Sequence, residues 1–173
     1  MDNRGLLEVY YGTGKGKTTA ALGLSLRAAG QGKRVLIIQF FKKRFTGELA
    51  TLQCIPRVTV FQFGTGEFIS RCEPGKDDRK EFLIGWELAK REMIAARYNL
   101  IVLDELTYAF HFGILDWNDC AEVLRNHPET VEVVVTGRSA PEELLAMADL
   151  VTEMRMVKHP AGKGIGPRQG IDF

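Results

Sequence analysis

The chain switches repeatedly between two hydrophobic periods. Short apolar runs at residues 6–11 (LLEVYY), 33–41 (KRVLIIQFF), 57–61 (RVTVF), 100–103 (LIVL), 130–136 (TVEVVVT) and 150–157 have the length and β-branched content of strands. A run with little polar alternation is what a strand covered on both faces of a parallel sheet presents. Between these runs lie segments of helical character at residues 20–29, 46–53, 79–98, 115–126 and 141–147. The longest is the clearest, because Phe82, Trp86, Ala89 and Met93 recur at helical spacing and form one apolar stripe for the core. Start signals support the others: Thr46 as a cap with Glu48 in the first turn, Asp116 or Asn118, and Pro141 in a first turn. Gly30 and Gly32 supply a stop. Strands alternating with helices from start to finish predict an α/β fold, a parallel β-sheet flanked by helices on both faces.

One stretch obeys neither period. Residues 12–19 read GTGKGKTT, so Gly12, Gly14 and Gly16 follow the first strand, and Lys17, Thr18 and Thr19 open a helix. Strand, glycine-rich loop and helix start with Lys-Thr at the junction is the layout of a phosphate-binding P-loop. Glycines let backbone N–H groups point into one concavity, and the helix N-terminus adds partial positive charge there. Lys17 is a mobile cation for phosphate oxygens, and the Thr18 hydroxyl is placed for the Mg²⁺ that accompanies a triphosphate. The spacing is contracted. The common motif has four residues between its first glycine and the Gly-Lys pair, and counting back from Gly16 that way lands on Tyr11. Phosphate binding is expected; the usual nucleotide pose is not.

Ligands of parallel sheets bind at the carboxyl ends of the strands. That rule puts three stretches on one rim: residues 12–19, the pair Asp104 and Glu105, and the pair Gly137 and Arg138. An acidic group after an apolar strand is the partner a P-loop needs for its Mg²⁺, although spacing leaves open which of Asp104 and Glu105 ligates. The segment 62–78 is long, polar and glycine-containing, yet carries Phe63, Phe68 and Ile69, which suits a loop facing a second substrate. His111, His127 and His159 fit no metal or triad spacing, and His111 between Phe110 and Phe112 reads as a packed side chain.

Composition narrows the setting. The 23 basic and 22 acidic residues leave a formal net charge of +1, no field that would recruit nucleic acid or a membrane. No apolar run approaches the roughly 20 residues of a membrane span, and the first residues lack a signal-peptide core. Three cysteines (Cys54, Cys72 and Cys120) without CxxC spacing argue against a disulfide framework and a zinc site, and for a reduced cytoplasmic protein. Two units are expected, an α/β domain over residues 1–157 and an irregular glycine-rich tail, 158–173, packing near the active site.

The chain as a whole resembles the P-loop ATP:corrinoid adenosyltransferases. The resemblance is carried by GTGKGKTTAALG (12–23), QFFK (39–42), VLDELTYA (102–109), the VVTGR, AP and EL pieces of 134–144, ADLVTEM with VKHP (148–160), and the ending QGIDF (169–173). It implies a RecA-like P-loop NTPase fold and transfer of the 5′-deoxyadenosyl group of ATP to Co(I) of cobalamin, cobinamide or cobyrinic acid a,c-diamide, releasing triphosphate. Co(I) is itself the nucleophile, so the protein's work is to hold ATP, neutralise the leaving triphosphate and place C5′ over cobalt. Carried over residue by residue, Gly12, Thr13, Gly14, Lys15, Gly16, Lys17, Thr18 and Thr19 would hold the phosphates, with Lys17 on the triphosphate. Thr18 and Glu105, with Asp104 adjoining, would hold Mg²⁺ (or Mn²⁺), and Lys42 and Arg138 would lie near the ligands. Phe68 would stand in for the aromatics that crowd the lower corrin face in the family, although no tryptophan accompanies it here. The resemblance also implies a homodimer and a reductase or flavodoxin-like electron donor. Two rival readings are a P-loop ATPase or small-molecule kinase with Glu105 as base, and a non-enzymatic nucleotide switch or corrinoid carrier.

Overall fold

The structure is a computed structural model and describes residues 4–66 and 73–172. Six strands form one parallel sheet: β1 (Leu7–Tyr11), β2 (Val35–Phe40), β3 (Val58–Phe63), β4 (Leu100–Asp104), β5 (Glu132–Gly137) and β6 (Leu150–Glu153), in the order β3-β2-β4-β5-β1-β6. Helices α1 (Lys17–Gly30), α2 (Gly47–Gln53), α3 (Lys76–Ile94), α4 (Tyr108–His111), α5 (Trp117–Arg125) and α6 (Glu142–Met147) complete the α/β fold.

Alternation along the strands builds two cores. Leu36, Ile38 and Phe40 of β2, with Ile101 and Leu103 of β4, pack against the α3 stripe of Phe82, Trp86, Ala89 and Met93 and against Cys120 and Leu124 of α5. Val35 and Ile37, with Leu100 and Val102, pack on the other face against Ala21 and Leu22 of α1 and Leu52 of α2. Full burial of each large side chain contributes roughly 2 kcal/mol, so this double cover is what holds the sheet.

Several boundaries differ from the sequence reading for local reasons. Helix α3 begins at Lys76 because Gly75 is extended and Asp77 and Asp78 suit a first turn; it ends at Ile94, before Ala96 turns left-handed at φ 48°. Strand β3 runs on to Phe63, which shortens the expected loop, and Phe68 and Cys72 lie outside the described residues. Thr46 sits at the cap position of α2 but its buried hydroxyl makes no hydrogen bond among the described residues, and Pro141 precedes α6 as its cap residue. Asp116 caps α5 by accepting the Asn118 N–H at 2.8 Å. Strand β6 stops at Glu153, and all four of its residues are exposed on the sheet edge. His111, expected as a packed side chain, is exposed, with its ring set edge-on against Phe112 at 4.8 Å. No helix among the described residues is long and apolar enough to cross a membrane.

Candidate active site

Three neighbouring strands each place one polar side chain at the carboxyl end of the face that packs against α1. Gln39 shares that face with Val35 and Ile37, Asp104 with Leu100 and Val102, and Thr136 with Val134. Gln39 and Asp104 are register partners in β2 and β4, and β5 lies on the other side of β4. The result is a fully buried carboxylate with every lone pair engaged. Asp104 Oδ1 accepts from the Thr136 hydroxyl at 2.7 Å and the Thr18 hydroxyl at 2.8 Å. Its Oδ2 accepts from Gln39 Nε2 at 3.0 Å and from the Lys42 ammonium at 2.6 Å. Burial would raise the Asp104 carboxyl, but Lys42 and the two hydroxyls outweigh it and hold the group below the usual carboxylate range. For Lys42 the balance is similar: burial acts to lower it, and the charges of Asp104 and Glu105 leave it raised.

Above Asp104 the chain turns sharply. Glu105 takes a left-handed backbone, φ 64°, and its N–H donates to Thr136 Oγ1 at 3.0 Å. Such a conformation in a non-glycine residue costs energy and clusters at functional sites. Its Oε2 is buried without a hydrogen-bond partner among the described residues. Burial, then the Asp104 charge beside it, pushes the Glu105 carboxyl up, against the pull of Lys42, Lys17 and Arg138.

The glycine loop faces this cluster. Gly12 and Gly16 have φ of 114° and 122°, and Gly14 donates its N–H to the Met154 carbonyl at 2.6 Å. A Cβ on Gly14 would lie 2.7 Å from that oxygen, so the loop fits only bare backbone. No acidic residue occupies the first turn of α1 and no side chain among the described residues caps it, so its leading N–H groups are available to an anion. Lys17 folds back to give Nζ to the Gly14 carbonyl at 2.8 Å. Burial lowers its ammonium below the ordinary lysine value, while Glu105 and Asp104 pull it back up.

Of the residues expected at the site, Thr18, Lys42 and Asp104 meet directly, and Lys17, Glu105 and Arg138 are electrostatically linked to them. Arg138 is exposed on the strand end after Gly137. Thr13 and Thr19 are exposed, and Lys15 turns away from the loop interior to Ile171 and Asp172. Gln39 and Thr136 are new members of the site. Their signal was present as the lone polar residue inside an otherwise apolar run, KRVLIIQFF and the VVVT end of β5.

The model of the ATP:corrinoid adenosyltransferase BtuR/CobO/CobP family matches residues 3–173. The corrinoid adenosyltransferase of Escherichia coli strain K12 is 35% identical over 174 residues, covering 100% of this chain and 88% of the relative. That of Pseudomonas aeruginosa is 34% identical over 173 residues, 99% of this chain and 85% of the relative. A corrinoid adenosyltransferase from Sinorhizobium is 37% identical over 179 residues, 99% of this chain and 82% of the relative.

Proposed function

This chain belongs to the ATP:corrinoid adenosyltransferase family, and from that premise we propose that it transfers the 5′-deoxyadenosyl group of ATP to the cobalt of a corrinoid, in adenosylcobalamin synthesis or salvage. Co(I) supplies the electron pair of the new cobalt–carbon bond, the C5′–oxygen bond breaks, and triphosphate departs with its electrons. The observation that carries this reading is the saturated Asp104 beside a glycine loop and Lys17. A carboxylate with four donors cannot take a proton from a substrate. It holds Thr18 and Lys42 where departing negative charge needs them.

The donor set also fits Mg²⁺, or Mn²⁺. Asp104 has no lone pair left, whereas Glu105 keeps an unpartnered buried oxygen and Thr18 offers its hydroxyl, both hard oxygen ligands. Thr18 and Glu105 would therefore hold the ion, with Asp104 orienting Thr18 from behind. When bound, the ion supplies positive charge to the polyphosphate. Lys17 supplies more from the loop, and Lys42 and Arg138 from the rim.

The proposal extends to a cytoplasmic homodimer and to a reductase or flavodoxin-like donor that brings cobalt to Co(I); the resemblance supports both. One observation favours a second reading. The unpartnered, upward-shifted Glu105 has the chemistry of a general base for an ATPase or kinase. Products separate the two. Incubation with ATP, Mg²⁺ and chemically reduced cobalamin is expected to give the visible spectrum of adenosylcobalamin and stoichiometric intact triphosphate. Release of ADP and orthophosphate, without a cobalt–carbon bond, would put Glu105 in the role of base and end the transferase reading.

A further inference from the structure

We infer that Asp172 is a positioning residue for the glycine loop, latching the C-terminal segment to Lys15 and so fixing the loop in the shape that receives a polyphosphate. This rests on the reading of the loop as the nucleotide site. The two lysines of the loop part company. Lys17 folds inward onto the Gly14 carbonyl, whereas Lys15 turns outward, donating to the Ile171 carbonyl at 2.8 Å and to the Asp172 carboxylate.

Asp172 is not a loose end. The Arg168 N–H and Nε donate to its second oxygen at 2.9 and 3.3 Å, and the N–H groups of Ile171 and Asp172 return to the Arg168 carbonyl. These bonds, led by that from Lys15, hold the Asp172 carboxyl down to about 2, so it is ionised at any working pH. A second tie lies one residue away, where Gly14 N–H meets the Met154 carbonyl. The loop is thus clasped on adjacent residues by two segments that begin about 140 positions downstream, at Met154, and end at Asp172. Residues 155–172 are exposed throughout, so little burial holds this segment in place and its terminal contact matters. The Lys15 ammonium is directed to partners outside the loop. Lys15 shapes the loop, and Lys17 with the backbone N–H groups meets the anion.

The test uses the full chain with Lys15→Ala, Asp172→Ala, the double variant, and the exchanged pair Lys15→Asp/Asp172→Lys. Steady-state kinetics and calorimetric ATP binding are read alongside the rate at which trypsin clips the tail without nucleotide. Each single variant is expected to raise KM for ATP roughly two- to fivefold, the range of an exposed ion pair, with kcat little changed. The double variant should be no worse than either single one, the exchanged pair should recover most of the loss, and tail clipping should quicken in all but that pair. If Lys15→Ala weakens ATP far more than Asp172→Ala does, the lysine is a phosphate ligand and the positioning role is wrong. Unchanged KM and clipping across the set would likewise remove the latch while leaving the nucleotide site standing. A wild-type chain that binds no ATP would remove the nucleotide reading, and the positioning role with it.

Discussion

Carboxylates stand at both ends of the α1-covered face of the sheet, and they titrate in opposite directions. At the carboxyl end Asp104 is fully buried, receives four hydrogen bonds including that of Lys42, and is held below the usual range. At the amino end Glu132 is only half-buried, accepts the Leu6 N–H at 3.0 Å, and stands near Glu8 and Asp149. Burial first, then the contact with Glu8 and the charges of Glu8 and Asp149, pushes Glu132 up to about 7. The deeper group is the stronger acid. Donors and a cation decide ionisation here, and burial sets only what their absence costs. The reactive rim thus keeps a fixed negative charge, while the far end tolerates a proton near neutrality.

The comparison breaks most severely at Asp104→Asn. Lys42 would lose its charged partner, so denaturant unfolding should show a loss of about 2–3 kcal/mol, below the fully buried range because Lys42 stays partly exposed, and transfer should fall near background. Glu105→Gln keeps the shape but removes a charge from the proposed Mg²⁺ site. The Mg²⁺ concentration giving half-maximal nucleotide binding should rise about 10- to 100-fold, and an unaltered titration would take Glu105 out of the ligand set. Thr136→Val leaves Asp104 one donor short and the Glu105 N–H unsatisfied, with a stability cost of about 1–2 kcal/mol in the same unfolding assay.

The mildest change sharpens the contrast from the other end. Glu132 is raised above its ordinary value of 4.5, so below that value both folded and unfolded chains are protonated and no penalty applies. As pH rises towards about 7 the unfolded chain ionises first and the folded state loses ground. Wild-type stability should therefore decline across that window by on the order of 1 kcal/mol after solvent screening, and Glu132→Gln should flatten the decline. An equally steep profile in the variant would mean that Glu132 is not the group responsible.

The sheet and the loop were legible because each is written in one continuous stretch. Strand β2 is an apolar run, and the glycines at 12, 14 and 16 announce a bare backbone. Helix α4, four residues following the turn at Glu105, is too short to leave a period. The buried network was only half legible. Thr18 and Asp104 belong to recognisable motifs, whereas Gln39 and Thr136 acquire meaning from strand order, since β5 brings Thr136 beside a carboxylate 32 residues earlier. The partners of Lys15 were hidden for a related reason: its ammonium meets Ile171 and Asp172, supplied by the folded path of a distant segment.

Strand β1 pairs with β5 and β6, the last two strands among the described residues, and its first register pair, Leu7 with Val133, spans 126 residues. During synthesis on the ribosome, the nucleotide loop therefore waits without its neighbours until most of the polypeptide has emerged. A fragment that stalls before β5 has a first strand without either of its partners in the sheet, an unpaired edge open to association.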